Sequence, residues 1–178
     1  YILALRWPEA SRFLFVALTL RLIFLIINNY VFYLPDGDMD GLIFEYHAWI
    51  WSQEGFLNTF NYFNGPNAYF LSFLIAIPYS LFGRSFLMAQ SFSILFGIAC
   101  VLLSWMLAKK IWNNSIAIKV GWTVALFPTL VSYSVLVMRE VYITFFLLVA
   151  FYGIVKWIEK KNLKFFSLTV MGFVSATF

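Results

Sequence analysis

Long apolar stretches separated by short polar segments run through the whole chain of 178 residues. A helix needs about 20 apolar residues to cross about 30 Å of hydrocarbon, so such stretches predict transmembrane helices. The predicted spans lie at about 13–33, 85–108, 116–137, 141–158 and 165–178. The pattern therefore predicts an all-α fold: a polytopic transmembrane helix bundle that forms a single membrane domain over residues 1–178.

Composition supports a membrane protein and excludes a soluble domain. Hydrophobic residues make up 63% of the chain and charged residues 11%, whereas soluble domains carry about 25% charged residues. The net charge of +4 comes from basic residues at the ends of apolar segments. There they orient a membrane protein, so we expect no nucleic-acid partner. Because the chain starts at Tyr1 and stops inside an apolar run at Phe178, we expect the N-terminal fragment of a longer protein.

Acidic residues are concentrated between the first two predicted spans. Five of the eight carboxylates lie there, and no Lys or Arg occurs between Val31 and Gly83. The five are Asp36, Asp38, Asp40, Glu45 and Glu54. In a membrane protein, acids beside a hydrophobic surface mark chemistry more often than solubility. We therefore expect the functional site to involve this outer loop, residues 34–84.

The short apolar segment Ala68–Phe82 decides the predicted topology. If it lies along the membrane surface, Lys109-Lys110 and the later lysine cluster all fall on the cytoplasmic side, as the positive-inside rule requires. If it crosses the membrane, both clusters fall outside. The charge pattern therefore predicts a juxtamembrane helix, with the acidic loop and Arg139-Glu140 on the same non-cytoplasmic face.

Four residues of the acidic loop are spaced to share one face of a helix, since steps of three and four residues return to the same side. They are Asp40, Phe44, His47 and Trp51. Asp40 is the preferred candidate for a general base, because Asp36 or Asp38 is equally suited to cap the start of the helix. His47 has two interpretations: a base or phosphate ligand, or a hydrogen-bonded structural residue.

The same loop also matches the opening of a calcium-binding loop, D-x-D-x-D-G, at Asp36, Asp38 and Asp40. An EF-hand would need Glu at the twelfth position, where this chain has His47. A divalent cation held by two of these carboxylates is the alternative that the pattern leaves open.

Two features of the later sequence carry further expectations. Pro128 removes a backbone donor within the span 116–137, so we expect a kink there. Arg139 and Glu140 either pair with each other, or Arg139 binds phosphate while Glu140 orients a substrate hydroxyl. Arg21 lies in the first span, where its charge must reach the lipid headgroups or face the bundle interior.

The order of these motifs resembles that of GT-C membrane glycosyltransferases, especially the branch containing protein O-mannosyltransferases and the bacterial transferases that add aminoarabinose to lipid A. Typical of that branch is an Asp followed by an aromatic residue four positions on and an Ala four beyond, as in Asp40, Phe44 and Ala48. The branch also typically carries a Gly-Pro turn before a short helix that ends in Leu-Phe-Gly. A later span in the branch contains a Pro and ends in an Arg–acid pair, as this chain does.

The resemblance implies a GT-C-like bundle with juxtamembrane helices, Asp40 as general base and Glu140 as a second acidic site. It also implies a sugar donor carried on polyprenyl phosphate. Relatives often carry a Lys beside the turn proline and an Arg early in the second span, where this chain has Asn67 and Gln90. Arg139 or Arg84 would then hold the donor phosphate. The candidate substrate-binding residues are Arg139, Asp38, His47, Asn67 and Tyr69.

The function that follows is transfer of a sugar from a polyprenyl-phosphate donor, at the outer face of the cell (inner) membrane or its equivalent. The acceptor hydroxyl would belong to a protein or a glycan, and the remaining partner is membrane lipid. No cofactor is expected apart from the cation alternative. The competing hypothesis is a non-enzymatic membrane subunit of a larger complex that uses the acidic loop to bind a partner or a cation.

Overall fold

The structure, a computed structural model, describes residues 7–36, 40–65 and 67–177. Regular secondary structure in these ranges is helical throughout, which confirms the predicted all-α class. The α-helices are α1 (Pro8–Tyr30), α2 (Asp40–Ser52), α3 (Phe56–Thr59), α4 (Phe70–Phe82), α5 (Phe86–Ile111), α6 (Asn114–Ala125), α7 (Pro128–Val135), α8 (Arg139–Lys160) and α9 (Leu163–Ala176). A 3-10 turn, Phe60–Tyr62, follows α3.

The chain is a multi-pass membrane protein. Within the described residues, α1, α5 and α8 are each long and apolar enough to cross a bilayer. The pair α6 and α7 is bent by 52° at a short break and adds a fourth span if it is counted as one. α9 has 14 residues, fewer than the ~20 that a crossing helix needs. The fifth span therefore stays a prediction.

Two helices begin earlier than predicted, and the residues at their first positions explain why. α1 begins at Pro8 rather than near 13, because proline suits the first helical position, where its missing donor costs nothing. α8 begins at Arg139 rather than 141, which puts Glu140 in the first turn, where a negative charge is favourable. Within the predicted outer loop, residues 58–62 are helical, since they form the end of α3 and the 3-10 turn.

The predicted disturbance at Pro128 is a complete break between helices. α6 ends at Ala125, and Pro128 is the first residue of α7. Arg21 of α1 is fully buried at this break. Its Nε donates to Ser134 Oγ at 2.9 Å and its Nη1 to the Ala125 carbonyl at 3.5 Å. Arg21 thus faces the bundle interior and links α1 to both sides of the break.

Successive spans run in opposite directions, and the bundle has two chemically different ends. At the basic end, Lys109 Nζ lies 2.8 Å from Glu9 and Lys110 Nζ lies 2.6 Å from Glu159. At the acidic end, α1 meets α5 through a 2.8 Å hydrogen bond from Asn29 Nδ2 to Gln90 Oε1. Asp36 and the start of α8 lie at this second end, which therefore carries the predicted site residues.

α2 and α4 pack against each other and against the acidic end of the bundle. At the start of α4, Tyr69 lies beside Asp40 and Arg139. Near its end, the Tyr79 hydroxyl donates to Glu45 at 2.9 Å. Both ends of α4 thus contact elements of the acidic end.

Candidate active site

Asp40 and Arg139 face each other across a small pocket of about 230 Å³ at the acidic end. Its lining residues are Asp40, Ile43, Phe44, Ala68, Tyr69 and Arg139. Asp40 is the exposed first residue of α2, and Arg139 is the first residue of α8. The pocket therefore combines an acid able to accept a proton with a cation able to hold an anion, as general acid–base chemistry on a charged substrate requires.

Gly41 is the residue that lets Asp40 reach this position. A Cβ atom at Gly41 would lie 2.1 Å from the Leu136 carbonyl oxygen. The first turn of α2 therefore lies directly against the backbone that joins α7 to α8. Because a side chain of any size would hold the two segments apart, a glycine here is a condition of the Asp40–Arg139 pocket.

Replacing Gly41 with Ala is expected to lower the free energy of unfolding by about 1–3 kcal/mol, because the added methyl overpacks a backbone contact. Thermal unfolding of the detergent-solubilised full-length protein measures the change. The control is Leu42→Ala on the same turn, since the Leu42 side chain is 41% exposed. Equal unfolding temperatures for the two variants would contradict the close contact.

Arg139 and Glu140 interact with each other as well as with their surroundings. Arg139 Nε lies 3.7 Å from Glu140 Oε1, and the two side chains are 47% and 45% exposed. Glu140 Oε2 is buried and has no hydrogen-bond partner among the described residues. The ion pair is long and open to solvent, so it contributes little stability. Both groups keep hydrogen-bonding capacity for a ligand.

Tyr133 is a site residue that the sequence analysis missed. Its hydroxyl donates to Asp36 Oδ2 at 3.4 Å, although the two residues are 97 positions apart. It lines the same cavity as Glu140. A tyrosine near the end of a span is common at membrane interfaces, so the sequence held no signal for it. Asp36 contacts α7, and because residues 37–39, directly before α2, lie outside the described residues, the predicted cap by Asp36 or Asp38 stays a prediction.

The other predicted substrate-binding residues cluster beside the pocket. The His47 and Tyr69 rings are edge to face, with centroids 4.6 Å apart, and Trp51 lies 6.0 Å from His47. The Asn67 side chain accepts a hydrogen bond from the Tyr69 amide at 2.8 Å. Asn67 thereby shapes the turn before α4. Asp38 lies outside the described residues, so its role stays a prediction.

Arg84 and Arg139, the two residues predicted to hold the donor phosphate, differ in whether their guanidinium groups are already engaged by a carboxylate. Both Nε and Nη2 of Arg84 bind the Glu45 carboxylate, at 2.9 and 2.8 Å. Gln90, at the position where relatives carry Arg, is buried and bonds Asn29 and the Val135 carbonyl. Among the described residues that line the pocket, Arg139 is the cation.

An apolar groove begins on the other side of the Arg139-Glu140 pair. Its upper cavity, about 480 Å³, is lined by Glu140, Tyr133 and mainly apolar or hydroxyl-bearing residues of α5 to α8. A lower cavity of about 310 Å³ shares Ser104 and Leu148 with it and reaches Val155. At 1.5 Å per residue, Glu140 to Val155 spans about 22 Å of α8. The groove, defined by these two cavities, suits a long hydrocarbon chain.

The described residues contain no group of three His, Cys, Asp or Glu side chains arranged to hold a metal ion. The cation site predicted at Asp36, Asp38 and Asp40 includes Asp38, which lies outside these residues. That cation therefore stays a prediction, and the chemistry below does not depend on it.

Comparison with known protein families gives one family match, which agrees with the helical membrane fold. The model of the family described as dolichyl-phosphate-mannose-protein mannosyltransferase matches residues 66–177, more than half of the chain. The match includes Tyr69 and Arg139-Glu140 but not Asp40. No curated protein and no solved structure shows significant similarity to the chain. The chain therefore belongs to the dolichyl-phosphate-mannose-protein mannosyltransferase family and is a membrane glycosyltransferase of the GT-C type.

Proposed function

We propose that the protein moves a sugar from a polyprenyl-phosphate donor to an acceptor hydroxyl on a protein or glycan, at the non-cytoplasmic face of the cell (inner) membrane or its equivalent. The observation that carries this proposal is the position of the Arg139-Glu140 pair. A pocket with a carboxylate lies on one side of it, and a long apolar groove starts on the other. An amphipathic donor could place its anionic head in the pocket and its hydrocarbon chain in the groove.

Asp40 acts as the general base in this proposal. It takes the proton of the acceptor hydroxyl while the hydroxyl oxygen attacks the anomeric carbon of the sugar. The bond between that carbon and the phosphate oxygen breaks, and its electron pair leaves with the polyprenyl phosphate. A single displacement of this kind inverts the configuration at the anomeric carbon.

Arg139 and Glu140 assist the two substrates. The Arg139 guanidinium balances the negative charge that grows on the departing phosphate, which lowers the barrier more than it favours the bound donor. The Glu140 carboxylate orients a hydroxyl of the donor sugar or the acceptor by accepting its hydrogen bond. Tyr69 forms one wall of the pocket beside Asp40 and contacts the substrate, while His47 supports the Tyr69 ring from behind.

The orientation in the membrane follows from charge. Lys109, Lys110 and the lysines at the end of α8 lie at the basic end of the bundle. The positive-inside rule puts that end in the cytoplasm and the pocket on the opposite face. A lipid phosphate in the outer headgroup region would then meet Arg139 at the depth where the groove opens.

Filling the groove tests the donor class. Ser104→Trp puts a large ring where the two cavities join. Each buried CH₂ contributes about 0.8 kcal/mol, so displacing two or three of them is expected to lower kcat/KM for a long-chain polyprenyl-phosphate sugar by roughly 10- to 50-fold. A donor with only two isoprene units is expected to lose little. Transfer of radiolabelled sugar in membranes measures both.

The matched control is Ser91→Trp, which makes the same change on the exposed face of the same helix. It is expected to leave both donors unaffected. Equal loss of activity with long and short donors in Ser104→Trp would argue against a chain in this groove. Transfer from a nucleotide sugar with no polyprenyl donor present would reject the donor class itself.

A further inference from the structure

An ion pair between a buried carboxylate and a partly exposed arginine joins three elements of the acidic end. Glu45 of α2 is 2% exposed, and Arg84, in the linker between α4 and α5, binds both of its oxygens at 2.9 and 2.8 Å. Tyr79 of α4 donates to the same carboxylate at 2.9 Å. The Arg84 guanidinium also lies 4.4 Å above the Trp49 ring. Planar, two-point contacts of this kind restrain orientation as well as distance.

The electrostatics agree with a strong contact. The hydrogen bond from Arg84 to Glu45 raises the pKa of the Arg84 guanidinium above its usual value. Burial, followed by the nearby Glu45 charge, raises the pKa of the Tyr79 hydroxyl. Arg84 therefore stays charged and Tyr79 stays protonated across the physiological range.

The pair lies on a different side of α2 from the candidate base. Glu45 follows Asp40 by five residues, which corresponds to a turn of about 140° around the helix axis. Gly41, between them, touches the Leu136 carbonyl. α2 is therefore held at two points, and rotation about its axis would break one of them. Asp40 is exposed, and no hydrogen bond or ion pair to another described residue holds its side chain.

We propose that Glu45 and Arg84 are positioning residues, which fix the rotation of α2 and so hold Asp40 toward the pocket without touching the substrate. Neither residue lines the pocket. The expected change in kcat rests on the proposed function. The restraint on the rotation of α2 does not depend on the reaction. Removing Arg84 alone leaves a buried carboxylate without its cation, whereas changing both residues removes the contact and the buried charge together.

The experiment compares Arg84→Ala, Arg84→Lys and the double variant Glu45→Gln/Arg84→Ala in the full-length protein. Sugar transfer is measured as kcat and donor KM, and amide hydrogen exchange is followed over residues 40–52. Because small misplacements of a catalytic group cost up to about 10²-fold, Arg84→Ala is expected to lower kcat about 10- to 100-fold. Donor KM is expected to stay within about twofold, since Arg139 belongs to α8.

Two comparisons separate positioning from general damage. Arg84→Lys keeps the charge but loses the two-point contact, so an intermediate kcat is expected. The double variant also lacks the two-point contact, so its kcat is expected to stay well below that of the unmodified protein. Full recovery would trace the loss in Arg84→Ala to the unpaired carboxylate and overturn the positioning role. Glu9→Gln breaks an exposed ion pair at the basic end and is expected to change neither kcat nor exchange.

A raised donor KM with unchanged kcat in Arg84→Ala would overturn the proposal, because Arg84 would then bind the donor directly. Unchanged exchange over α2 would overturn it as well. If Asp40→Asn retained transfer while Arg84→Ala still accelerated exchange in α2, the proposed function would fail and the restraint on α2 would stand.

Discussion

Replacing Asp40 with Asn is expected to lower sugar transfer by about 10²- to 10⁴-fold, the usual contribution of a positioned general base. Asparagine keeps the shape of the side chain but cannot take the proton of the acceptor hydroxyl. The protein level in the membrane is expected to be unchanged, because Asp40 is exposed and carries no packing role. Transfer from a labelled polyprenyl-phosphate sugar, normalised to the amount of protein, measures the effect.

Glu54→Gln is the matched control, since it also turns a carboxylate into an amide within the acidic segment. Glu54 is exposed and interacts with the Tyr62 hydroxyl, away from the pocket. Near-normal transfer is expected for it. If Asp40→Asn kept normal transfer, Asp40 would not be the base, and the hypothesis of a non-enzymatic role for the acidic loop would regain support.

Replacing Arg139 with Gln is expected to lower kcat about 10²- to 10³-fold, the range seen when one donor to a developing oxyanion is removed. Glutamine keeps one donor but loses the charge that balances the departing phosphate. Arg139→Lys is expected to recover part of the rate, because lysine is charged but lacks the planar fork. Single-turnover transfer separates this step from donor binding.

A simple ion pair between Arg139 and Glu140 predicts a different result. If the two side chains only neutralised each other, the double variant Arg139→Gln/Glu140→Gln would be as active as the unmodified protein. If they serve the reaction, the double variant stays at least as impaired as Arg139→Gln. Arg12→Gln, a change of the same type near the basic end, serves as the control and is expected to retain transfer.

Several site features could be anticipated because they depend on local pattern. Helical spacing in the acidic loop predicted that Asp40 and His47 lie on one helix, and α2 contains both. The Leu-Phe-Gly sequence marked the end of the short apolar helix, and α4 ends at Phe82 with Gly83 at positive φ. Glycine tolerates that conformation without strain, so its effect can be read from the sequence.

Other features could not be anticipated because they depend on contacts between distant segments. From the sequence, Glu45 was one of several acids in the outer loop, and Arg84 was a candidate phosphate ligand. Their pairing becomes evident only when α2 and α4 are packed together. Gln90 read as the loss of a phosphate-binding arginine, yet it is buried between α1 and α7 and joins them.

The sequence by itself determined that this is a helical membrane protein, because the length of an apolar run and the position of lysines are set by the bilayer and need no knowledge of packing. Only the tertiary structure decided which charged groups meet. Asp40 and Arg139 share a pocket because a glycine lets α2 rest on the backbone before α8. Such close approach depends on how the surfaces of two distant segments fit together, and the local periodicity of the sequence does not predict that fit.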